Sequence, residues 1–97
     1  MRGPTGVRYQ RSTEALSRRI GSDVLVTVPA DERVHELSGG ASAVWADLSE
    51  PRTVVELVGR LAQIHGVARD VVAGQIARCI DTFLALGLVQ EEPGFDV

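Results

Sequence analysis

The chain has 97 residues, 44% hydrophobic and 24% charged, with a formal net charge of -3 and a pI near 5.3. That suffices for one small domain with its own core and is too little for a deep catalytic cleft beside it. All ten basic residues are Arg, scattered or held in the first nineteen positions, so the clustered cationic stripe that nucleic-acid binding demands is absent.

Residues 1–14 hold Gly3, Pro4 and Gly6 among Arg2, Arg8 and Arg11, too few apolar groups to offset the entropy of ordering, and are expected to form a mobile tail. Tyr9 is its only large ring, able to dock back on the body. The start carries no apolar signal region, and no run of about 18 apolar residues follows, so a soluble, cytoplasmic chain is expected. A single cysteine, Cys79, excludes an internal disulfide and fits a reducing compartment.

The domain is expected over 15–90. Leu16 to Ile20 and the β-branched run Val24 to Val28 flank the turn Gly21-Ser22-Asp23 and read as a hairpin. Pro29 to Glu32 is the next turn, and Arg33 to Leu37 a third strand with His35 and Leu37 on one face and Val34 and Glu36 on the other.

Three helices follow. Ser38 is the expected N-cap of a helix over 39–48, whose Ala41, Val44, Trp45 and Leu48 form one apolar face. Pro51 breaks it. Thr53 then caps a second helix, with Glu56 completing a capping box, a stripe of Val54, Leu57, Val58, Leu61 and Ile64, and Gly66 at its end. The last helix runs from about Arg69 to Leu86, with Asp70 favourable for its dipole. Its apolar arc is broad: Val72, Ile76, Cys79, Phe83 and Leu86 lie within about 80°, and Ala73, Ala77, Ile80 and Leu84 widen it to about 180°. That surplus needs a second cover. Gly87 stops the helix, Leu88-Val89-Gln90 returns toward the sheet as a wing, and the acidic 91–97 is expected to fray.

Catalytic chemistry finds little footing. His35 and His65 are the only imidazoles and have no Cys or carboxylate at ligand spacing, so no metal site and no cofactor are expected. Cys79 on an apolar stripe reads as a small hydrophobe, with no His or Lys one turn away to activate it. Ser38-Gly39-Gly40 lacks the Gly-Lys-Ser/Thr of a phosphate loop, and Asp47, Glu50 and Glu56 read as solvated charges. The chain is not expected to be an enzyme.

A three-stranded sheet must leave an edge, and an open edge invites an extended peptide to pair with it. The alternative is that the N-terminal tail or a second copy covers this edge. The strand ending in Leu37-Ser38, the Gly39-Gly40-Ala41 entry, Val44-Trp45, Thr53-Val54-Val55-Glu56-Leu57 and the closing Gly87-Leu88-Val89 together resemble the PqqD-like proteins over about Ala15 to Val89. These are also called RiPP recognition elements, modules that bind the leader of a ribosomally made precursor peptide.

The resemblance implies an α+β, winged-helix-like fold, a three-stranded antiparallel sheet followed by three helices. It further implies that a leader peptide adds as a strand between the third strand and the third helix and is presented to a modifying enzyme, such as a radical S-adenosylmethionine enzyme, a cyclase or a protease. Carried over residue by residue, the groove maps to Arg33, Val34, His35 and Glu36 on the strand and Val72, Gln75, Ile76 and Cys79 on the helix. Arg33, Arg69 and Arg78 would attract an acidic leader. Glu36 departs from a fully apolar strand, and the N-terminal extension is longer than the family requires. The rival reading is a winged-helix DNA-binding regulator, for which only Arg69, Gln75 and Arg78 on the last helix qualify as contacts. A third is a module that docks a protein by the same edge without peptide modification.

Overall fold

The computed structural model describes residues 6–30 and 32–92. Its elements are β1 (Arg8–Arg11), β2 (Leu16–Ile20), β3 (Asp23–Thr27), β4 (Val34–Leu37), α1 (Gly40–Asp47), β5 (Arg52–Thr53), α2 (Val54–His65), α3 (Arg69–Ala85) and β6 (Val89–Glu91). The fold is α+β, and the antiparallel sheet β2-β3-β4 followed by three helices is the arrangement the sequence predicts. A second three-stranded sheet, β5-β1-β6, is added to it.

In the first sheet, Ile20 pairs with Asp23 across a two-residue turn with Gly21 at φ +63. Glycine at the first central position is what a II′ hairpin turn asks for, because its twist matches that of the strands. The period of two then sorts the faces. Val24, Val26 and Leu37 are buried against the helices, while Leu25 and Glu36, paired across β3 and β4, face outward. Every residue of β2 is exposed.

Within the tail expected over 1–14, the second sheet corrects the expectation of mobility for residues 8–11. Arg8–Arg11 is its central strand, pairing antiparallel with β5 at Arg8↔Thr53 and with β6 at Gln10↔Gln90. Composition misjudged this stretch because the groups that order it lie far along the chain. Tyr9 packs on the core, and the Arg11 guanidinium donates to the Trp45 carbonyl from Nε at 3.1 Å and Nη2 at 2.6 Å. The same guanidinium lies 4.7 Å from the centroid of the Trp45 ring. Burial first, and the charge of Arg19 second, lower the Arg11 pKa from its ordinary value. The segment after Gly87 therefore returns to β1 and not to the first sheet. Within the expected C-terminal tail Glu91 is the last residue of β6, and 93–97, like 1–5 and the turn residue Asp31, lie outside the described residues.

Ser38 is not the cap of α1. Gly39 takes that position at φ +57 and ψ -129, with no side-chain bond, and Ser38 contributes its carbonyl to the Ala41 N–H at 3.2 Å. A backbone turn in the glycine region does the work expected of a hydroxyl. The capping box of α2 is as expected: Thr53 Oγ1 accepts from Glu56 N–H at 3.0 Å and Glu56 Oε1 from Thr53 N–H at 2.8 Å. Gly66 closes that helix at φ +64. Ile64, expected in its buried stripe, is 64% exposed, and Ala62 takes the inner position.

Asp47 is not a solvated charge. Only 9% exposed, it accepts from Arg60 Nε at 2.9 and 3.0 Å through both carboxylate oxygens, and its backbone carbonyl accepts from Arg52 Nε at 2.8 Å. This ties α1 to α2 and β5. Beneath it the core centres on Trp45 and Phe83, whose rings meet edge to face at 5.9 Å, with Leu48, Leu57, Ile76 and Leu88 around them.

Candidate functional site

Strand β4 pairs with β3 alone, so among the described residues its other edge is open. The backbone polarity of that edge follows from the hairpin. A two-residue turn closes on a hydrogen-bonded pair, so Asp23, Leu25 and Thr27 bond toward β2. Alternation leaves Val24 and Val26 bonding toward β4, where they oppose Leu37 and His35. The N–H and C=O groups of Val34 and Glu36 therefore point away from the sheet, spaced as a ladder for one more strand.

Residues Arg8–Arg11 do not occupy this edge, since β1 lies between β5 and β6. That removes the described part of the N-terminal segment from the covers considered from the sequence. Beside the edge lies a groove of about 650 Å³ between β4 and α3. Val34, His35, Glu36 and Leu37 form its strand side, and Val72, Gln75, Ile76 and Cys79 its helix side. Ala41, Val44 and Leu61 of α1 and α2 line it as well. A mostly apolar concavity of this size with a few polar groups at its margin is what a ligand site requires.

Of the eight residues mapped from the sequence, seven line this groove together. Arg33 is exposed and does not. It precedes the first residue of β4. The lining also includes residues outside that mapped set, among them the polar His65 at the end of α2 and Arg78 and Thr82 on α3. Thr82 was legible, being seven residues after Gln75 and so on the same stripe, whereas His65 enters through the packing of α2 on α3.

The members of the groove differ in what they can lose. Val72 and Ile76, 8% and 2% exposed, belong to the core as much as to the groove, whereas Gln75 and Arg78 are exposed and Cys79 is half-buried. Burial lifts the Cys79 thiol from 9.0 to about 11, so it stands in the wall as a neutral, weakly polar group. Arg78 and Glu36 bring one charge of each sign to the margin. Among the described residues no group of three metal-ligating side chains converges, and no helix is long and apolar enough to cross a membrane.

Comparison with known proteins agrees with this geometry. No curated protein matches the chain. A solved structure described as TbiB1 in complex with the TbiA(beta) leader peptide matches with a TM-score of 0.77 at 18% identity, covering 91% of this chain and 99% of that one. At that identity the likeness speaks for the fold. A family model described as coenzyme PQQ synthesis protein D (PqqD) matches residues 23–89, from the start of β3 through the groove to the first residue of β6, and the chain belongs to that family.

Proposed function

We propose that this protein binds the leader segment of a ribosomally made precursor peptide and presents it to a modifying enzyme, without catalysing a reaction itself. The carrying observation is the open edge of β4 set beside the apolar groove of α3. An extended peptide gains backbone hydrogen bonds from Val34 and Glu36 and sends alternate side chains into the groove over Cys79, Gln75 and Ile76. The fold's likeness to TbiB1, solved with a leader peptide, supports the same reading. The α3 surface offers little to DNA, since Arg69 and Arg78 are offset by the exposed Asp70 and Asp81.

The test is a fluorescence-polarisation titration with the labelled leader of the precursor encoded nearest this gene, a scrambled leader serving as control. Micromolar or tighter binding, absent with the scramble, is expected. Glu36→Pro removes an N–H that faces away from β3, so it lowers leader affinity by roughly a hundredfold while costing the fold under about 1 kcal/mol. Ile76→Glu would be a poor probe, because it places a charge in the core. A folded Glu36→Pro protein that binds the leader as tightly as the parent would sink the strand-addition reading.

A further inference from the structure

The outer face of the first sheet carries a pattern that matches itself. Leu16, Ile20 and Val34 are 65%, 54% and 63% exposed and lie on this face, with Leu25 at its centre. The register sets Arg18, Leu25 and Glu36 in one row across the three strands, and Leu16, Thr27 and Val34 in another. The central row thus runs from positive through apolar to negative. Arg18 and Glu36 stand two strand spacings apart, about 10 Å, too far to pair with each other. Neither has an ion pair or a side-chain hydrogen bond among the described residues.

We infer that this face docks a second copy of the chain about a two-fold axis running along β3. A half-turn about that axis lays β2 of one copy over β4 of the other and keeps every row in place. Arg18 then meets Glu36 of the second copy, twice per dimer. Leu16 meets Val34, and Leu25 meets its own equivalent at the centre. Two twisted sheets pack face to face with their strands about 30° from parallel, which keeps the central row in register. The isologous rule that residue i meets j and j meets i is satisfied by Arg18 with Glu36 and by Leu16 with Val34. Asp23, paired with Ile20 on the same face, falls on the axis against its own equivalent and weakens the contact. A face that served an unrelated partner would not need to complement its own image.

Three short strands bury less than the roughly 800 Å² per partner of a standard interface, so the dimer is weak, forming at about 0.1 mM and above. The β4 edge stays outside the contact plane, so this inference does not rest on the leader-binding reading, and its test uses no peptide. Sedimentation velocity over a concentration series would be run on the parent protein, Arg18→Glu, Glu36→Arg and an equimolar mixture of the two variants, each checked by circular dichroism. The parent is expected to dimerise, and each variant alone, with like charges opposed at both contacts, to weaken association by roughly tenfold or more. The mixture restores it, because both contacts again join opposite charges. A parent that stays monomeric to about 1 mM, variants that associate as the parent does, or a mixture no better than its components would each overturn the proposal.

Discussion

The two sheets of this small protein are held in place by opposite means. Strands β2, β3 and β4 follow one another in the chain and leave an edge, an outer face and the whole of β2 open to solvent. Strands β1, β5 and β6 come from the beginning, middle and end of the domain, and their central strand is pinned to the core by Arg11 on Trp45. The first sheet leaves backbone and side chains exposed, the surface proposed to bind a leader; the second fastens β1 and β6 to the helices. Binding surface and structural anchor are thereby separated, so damage to one should be readable apart from damage to the other.

The largest effect that would break this comparison comes from removing residues 1–12. It takes away β1, the Arg11 contacts and the Ser12 bonds to Gly87 and Leu88, at 2.7 and 2.8 Å. A loss of about 3–5 kcal/mol in urea unfolding is expected, a large share of a small domain's stability, while whatever remains folded binds leader peptide with unchanged affinity. If the truncated protein were as stable as the parent, the second sheet would be no anchor.

Arg11→Ala sharpens the point within one residue. It gives up two hydrogen bonds to a buried tryptophan carbonyl and the cation on its ring, at a cost of about 1–3 kcal/mol in the same measurement. Thr53→Ala acts where β5 runs into α2. It removes the acceptor for the Glu56 N–H and should lower stability by about 1 kcal/mol, with leader affinity unmoved.

The smallest effect concerns the groove wall. The Cys79 thiol titrates near 9.0 when unfolded and at about 11 when folded, so the unfolded chain loses this proton first. Stability from this group is full below pH 9.0 and declines as the pH rises toward about 11. Cys79→Ala should flatten that part of the stability profile, and slow alkylation of Cys79 near neutral pH would report the same raised pKa.

Much of the working half of the molecule could be read from local pattern. The Gly21 turn, the β-branched run from Val24 and the Thr53/Glu56 box each rest on neighbours within a few residues; the box is as expected, and the hairpin differs only in that Asp23 opens β3 and Val28 lies past its end. The stripe through Val72, Ile76 and Cys79 gave the helix wall of the groove in the same way. Asp47 and Ile64 were misread because a helix's inner side is decided by what packs on it: Arg60 reaches Asp47, and Ala62 takes the inner position on α2 in place of Ile64.

By itself, then, the sequence determined the elements whose causes are near in the chain: period, turn chemistry, caps and the breadth of the α3 stripe. Tertiary structure alone decided that residues 8–11 would become the centre of a sheet, that a glycine and not a serine would open α1, and that His65 would reach the groove. The physical reason is the same each time. A strand is stabilised by partners, and when those partners lie some 40 and 80 residues away, as Thr53 and Val89 do from β1, no local propensity encodes the pairing.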